Sequence, residues 1–238
     1  MPRNSMFVAV LALLTSAPTS AEAGKTTEQT ISSKGRERTY FLHLPPATAS
    51  DQKLPLVLTL HGSGQVPEVL VSAWMDLGDR ERIILVGPRA ADPARWTVPA
   101  DGPLFLRDLV EAVKARYPVD ERRIYLFGHS AGAVFALEMA ALESEYFAAV
   151  AVHAGAIQPA YFRIFDDAKR RIPCLILIGT RDAFFPLDLV RATRDALKSR
   201  GFPVEYVEVT GHTHEYRGGA KEINQKAWHF LSKNALAR

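Results

Sequence analysis

The sequence predicts one α/β domain: a mostly parallel central sheet with helices on both faces and no large lid. Three features carry that expectation. Apolar runs of strand length alternate with amphipathic segments of helix length. The 238 residues, 47% hydrophobic and 23% charged, suit one large core. The stretch between Val152 and Cys174 is too short for a lid domain, so the site should be open.

The first residues stand apart from this pattern. Arg3 precedes an apolar run from Met6 to Leu14, and Ala21-Glu22-Ala23 offers the small residues of a cleavage site, so residues 1–23 read as a secretory signal peptide. The run is shorter than the roughly 20 residues that cross a bilayer, which argues against an anchor. Gly24, not a cysteine, follows the cut, which argues against a lipid-anchored product. The expected mature domain, residues 24–238, is secreted or periplasmic and has no stable membrane association.

Within it, Arg38 to Leu44 alternates polar and apolar residues and runs into Pro45-Pro46, as an antiparallel edge strand does. Buried strands are predicted at 56–60, 83–87, 123–127, 148–152, 174–179 and 204–209, and helices at 68–80, 103–117, 131–142, 187–199 and 220–232. The single cysteine, Cys174, lies in an apolar strand and reads as a buried thiol rather than a nucleophile. A net charge of +3 without a long basic run gives no support to nucleic-acid binding.

Chemistry concentrates where strands end. Gly128-His-Ser-Ala-Gly132 lies between the strand ending at Phe127 and the helix beginning at Ala131. A serine nucleophile needs this tight turn to project its hydroxyl, with small neighbours where backbones pack closely, so Ser130 is the candidate nucleophile. A neutral hydroxyl needs a base, and the base needs an anion that fixes its tautomer. Asp182 follows the buried strand 174–179 and fits the anion; the competing reading is a turn or cap aspartate ahead of the next helix, and Asp188 is a weaker substitute. The base should follow the last strand, where Thr210-Gly-His-Thr-His-Glu-Tyr216 supplies both His212 and His214, and periodicity does not choose between them. An H-x-H metal site has no supporting ligands at suitable spacing elsewhere, so no metal and no cofactor is expected.

Two backbone N–H groups must hold a developing oxyanion, one of them after the nucleophile and one in an early loop. Ala131 supplies the first. His61-Gly62-Ser63-Gly64, after the strand 56–60, supplies the second at Ser63. His129 and Trp96 are candidate substrate-binding residues, and His153 is a further residue at a strand end; ordinary packing accounts for each equally well.

With these residues placed, the chain resembles exported α/β-hydrolase esterases of the polyhydroxybutyrate depolymerase and feruloyl esterase type, from about Gly35 onward. The resemblance rests on Gly35-Arg36, Arg38-x-Tyr40, Leu60-His-Gly-Ser-Gly-Gln65, Tyr117-Pro-Val-Asp-x-x-Arg-Ile-Tyr125, Phe147-Ala-Ala-Val-Ala151 and Gly179-Thr-x-Asp182. It implies the α/β-hydrolase fold, a Ser-His-Asp triad and a small or oligomeric ester substrate. In such esterases an aromatic residue commonly stands two positions after the catalytic histidine, a pattern matched by His214-Glu-Tyr216, which favours His214 over His212. Peptidases and acyltransferases use the same constellation, and a catalytically silent member would be a binding protein.

Overall fold

The computed structural model describes residues 24–46 and 52–237, so the expected signal peptide lies outside the described residues. One sheet is built from β1 (Thr26–Ser33), β2 (Arg36–His43), β3 (Leu54–Leu60), β4 (Ile84–Pro88), β5 (Val119–His129), β6 (Ala149–His153), β7 (Cys174–Gly179) and β8 (Val204–Val209). Across the sheet the order is β1-β2-β4-β3-β5-β6-β7-β8. The β1–β2 and β2–β4 pairs are antiparallel, and the others are parallel.

The strand pleat sorts the core into two layers. Leu56, Leu58, Leu60, Ile124 and Leu126 face one side, where α2 (Pro103–Lys114), α3 (Ala131–Leu142) and α4 (Leu187–Ser199) cover them. Val57, Tyr125 and Phe127 face the other, under α1 (Glu68–Glu81) and α5 (Ala220–Leu231). Central strands buried on both faces read as continuous apolar runs, which is why β3, β7 and the inner half of β5 were legible. α3 is apolar nearly all round and correspondingly buried.

Three expectations need correction. The strand expected over 38–44 is not the edge: it is β2, paired on both sides, and the edge is β1. Thr26–Ser33 is polar and half exposed, so it carries little hydrophobic signal; Lys34 and Gly35, at φ 50° and 72°, turn it tightly onto β2. β5 starts at Val119, because the charged segment 120–123 stays extended, with Arg123 paired to Asp120 at 2.6 Å. α2 ends at Lys114 rather than at position 117, since Pro118 disfavours helical backbone at the residue before it.

Candidate active site

The turn after β5 is built by exclusion of side chains. Ser130 adopts φ 56° and ψ −120°, a conformation that costs energy for a residue with a Cβ. A Cβ at Gly128 would overlap the Gly132 carbonyl, and one at Gly132 would overlap the Leu60 carbonyl, so both positions accept only glycine without backbone movement. Ser130 N–H donates to His153 O at 3.1 Å, pinning the turn to the end of β6.

Ser130, His214 and Asp182 come together across the C-terminal ends of β5, β7 and β8. Ser130 Oγ lies 2.9 Å from His214 Nε2, and His214 Nδ1 lies 2.9 Å from Asp182 Oδ2. The other oxygen of Asp182 accepts the Phe184 and Phe185 N–H groups at 2.8 and 2.9 Å, and its side chain is fully buried. With both carboxylate oxygens accepting, the hydrogen belongs on His214 Nδ1, and Nε2 is free to accept from the serine hydroxyl. Asp182 does not cap α4, whose N-cap is Pro186.

His212 is placed elsewhere. Its ring packs 5.2 Å from that of His153, and among the described residues its buried Nε2 has no hydrogen-bond partner. Its carbonyl accepts Arg181 N–H at 2.9 Å, so the residue braces the Asp182 loop through its backbone.

Ser63 and Ala131 border the same cavity as Ser130, and among the described residues no protein acceptor takes either backbone N–H. The early loop is held by His61. Ala90 N–H donates to His61 Nε2 at 3.2 Å, so Nδ1 carries the hydrogen and donates to Gly62 O at 2.9 Å. Burial lowers the pKa of this ring, which favours that neutral form. Trp96 Nε1 donates to His61 O at 2.8 Å, and its ring stacks on Phe135 at 5.0 Å.

The cavity beside Ser130 has a volume of about 420 Å³. Trp96, Val134, Phe135, Phe184 and Phe185 give it an apolar wall, with Arg95 and Glu138 as its charged members. Trp96 therefore borders this cavity, whereas His129 is not among its lining residues. His129 is buried behind His214, with ring centroids 5.1 Å apart, and stacks on Tyr216 from the other side. Its Cβ alternates to the far face because it is the neighbour of the turn residue, not the turn residue itself. The phenylalanines were missed, although two consecutive aromatics in the loop after Asp182 are a usable signal. Among the described residues no group of three or more His, Cys, Asp or Glu is arranged to hold a metal ion.

His129 Nδ1 and His153 Nδ1 are 3.0 Å apart, so one donates and the other accepts, which requires at least the accepting ring to be neutral. Burial, with a smaller contribution from charge on His214, lowers His129 to about 4; burial likewise holds His153 well below the usual range. The unfolded chain takes up protons near pH 6.5 that the folded one refuses, so stability should fall as pH drops from about 6.5 towards 4. The His129 contribution is on the order of 3 kcal/mol across that window. Urea midpoints measured from pH 7.5 to 4.5 should decline less steeply in His129→Gln than in the wild type; parallel curves would refute this.

A model of the Esterase family, described as "Putative esterase", matches residues 31–231. The chain belongs to this esterase family. It is 30% identical over 175 residues to "Putative esterase NocK" of Nocardia uniformis subsp. tsuyamanensis, a match covering 68% of this chain and 50% of the relative. It is 30% identical over 128 residues to poly(3-hydroxyalkanoate) depolymerase C of Paucimonas lemoignei, covering 48% and 30%. The chain thus spans half the length or less of these curated relatives. Its fold is the α/β-hydrolase fold: FphF, a fluorophosphonate-binding serine hydrolase of Staphylococcus aureus, superimposes with a TM-score of 0.74 at 14% identity, over 88% of this chain and 99% of that one.

Proposed function

We propose that this chain is an exported serine carboxylic-ester hydrolase that works through an acyl-enzyme. The observation that carries the proposal is the unbroken hydrogen-bonded line from Asp182 through His214 to Ser130, beside two unclaimed N–H groups. Ser130 Oγ attacks the ester carbonyl carbon while His214 Nε2 takes its proton. The oxyanion is held by the Ser63 and Ala131 N–H groups. As the intermediate collapses, the carbon–oxygen bond to the alcohol breaks and His214 protonates the leaving oxygen. Water then attacks the acyl-enzyme, gives a proton to His214 and releases the acid and Ser130.

Asp182 orients the imidazole and stabilises it while charged. The open, aromatic-walled cavity is the place for the acyl group in this reading, with feruloyl, acetyl and hydroxyalkanoyl groups as the candidates, and the leader read at residues 1–23 would direct the domain out of the cytoplasm. The test compares wild type with Ser130→Ala on p-nitrophenyl acetate, butyrate and octanoate, methyl ferulate, a hydroxybutyrate oligomer and a matching amide. Ser130→Ala should abolish turnover of at least one ester. Equal activity in both proteins, or turnover of the amide alone, would overturn the proposal.

A further inference from the structure

Along α3, Ala131, Val134, Phe135 and Glu138 fall on one side of the helix, spaced as i, i+3, i+4 and i+7, and all four border the cavity beside Ser130. Glu138 is the only charged residue between Ala131 and Leu142. It also borders a second cavity of about 480 Å³ against the 3-10 helix Pro159–Asp167, where Tyr161, Arg163 and Asp166 lie. Glu138 therefore stands where the two cavities adjoin, at the end of the first one farthest along α3 from the oxyanion site.

Among the described residues, nothing donates a hydrogen bond to Glu138 or forms an ion pair with it. Arg95, the other charge in the first cavity, is turned to Asp92 at 3.1 Å. Burial raises the pKa of the Glu138 carboxyl. A partly buried carboxylate without a partner is unfavourable. A donor from a bound ligand would relieve it.

We propose that Glu138 is a specificity-determining residue, whose carboxylate receives a hydrogen-bond donor at the far end of the substrate's acyl group. This rests on the esterase proposal above. Glu138 stands seven positions after Ala131 on the helix, about 10 Å along the axis. An acyl group whose carbonyl oxygen points at the Ala131 N–H would run past Val134 and Phe135 before its tip met Glu138. The matching shape is a rigid apolar body with a hydroxyl or ammonium tip, of the reach of a para-hydroxycinnamoyl group.

The experiment measures kcat/KM of wild type, Glu138→Gln and Glu138→Leu on methyl 4-hydroxycinnamate and methyl cinnamate, with a 4-aminomethylcinnamate ester as the ammonium arm. Thermal unfolding confirms that each variant is folded. A donor on a carboxylate should favour the 4-hydroxy ester at least about tenfold over its unsubstituted partner in the wild type. Glu138→Leu should bring that ratio close to one. Glu138→Gln should retain part of the hydroxyl preference and lose the ammonium preference. A wild-type ratio near one in both arms, or a ratio that survives Glu138→Leu, overturns the assignment. Loss of Ser130-dependent turnover on every ester, p-nitrophenyl acetate included, instead overturns the esterase proposal and this one with it.

Discussion

His214→Ala is expected to lower kcat on a p-nitrophenyl ester by roughly 10⁵- to 10⁶-fold, the scale on which a serine triad fails without its base. His212→Ala should cost less than about 10²-fold, because its ring packs on His153 and the hydrogen bonds to Ser130 and Asp182 are made by His214. Asp182→Asn belongs between them, at roughly 10⁴-fold. An amide there would present a donor to His214 Nδ1 or lose the two backbone donors of Phe184 and Phe185, so the ring would hold the wrong tautomer. Single-turnover acylation rates of the three variants check the ranking. A larger loss in His212→Ala than in His214→Ala would reassign the base.

The two histidines show what sequence can and cannot say about such a site. Ser130 was legible because three constraints meet there: a strand end, a helix start and glycines where a Cβ would overlap backbone. His212 and His214 stand two apart in one loop, and loops have no period to sort them. The resemblance separated them through Tyr216, and the packing gives that aromatic a physical role. Tyr216 is buried, its hydroxyl donates to Asn224 Oδ1 at 2.5 Å, and Asn224 Nδ2 donates to Ala73 O at 2.9 Å. This ties the segment just after His214 to α1 and α5 and lays the Tyr216 ring against His129.

What sequence did not yield depends on contacts between distant segments. β1 is polar and becomes a strand only by pairing with β2. His129 adjoins the nucleophile in sequence yet faces away from the pocket, because alternate residues of a strand point to opposite faces. Glu138 was visible as a lone charge in an apolar helix, but its position between two cavities depends on the 3-10 helix Pro159–Asp167, far along the chain.

Asp101→Ala should destabilise the domain by about 3–5 kcal/mol, the range for removing one member of a buried ion pair. Asp101 is fully buried, and one carboxylate oxygen meets Arg38 at 2.6 Å and Ala91 N–H at 2.8 Å. The other takes Thr97 N–H at 2.9 Å. Its loss leaves the nearly buried Arg38 guanidinium on β2 without its anion, with the Ala100 and Arg89 carbonyls as acceptors, and unpairs two backbone donors in the segment that carries Trp96. Because Trp96 donates to His61 O, and Pro93 O accepts Gly64 N–H at 2.7 Å, the same segment braces the loop that presents Ser63. Asp101→Ala should therefore also weaken oxyanion binding, seen as a fall in kcat/KM of roughly tenfold or more in the fraction that remains folded. Asp101→Asn keeps one acceptor oxygen and should lie between the two in both respects. Urea midpoints with kcat/KM on one ester decide the matter: if Asp101→Ala keeps wild-type stability, the Arg38 charge finds another partner and the segment is held by Trp96 alone.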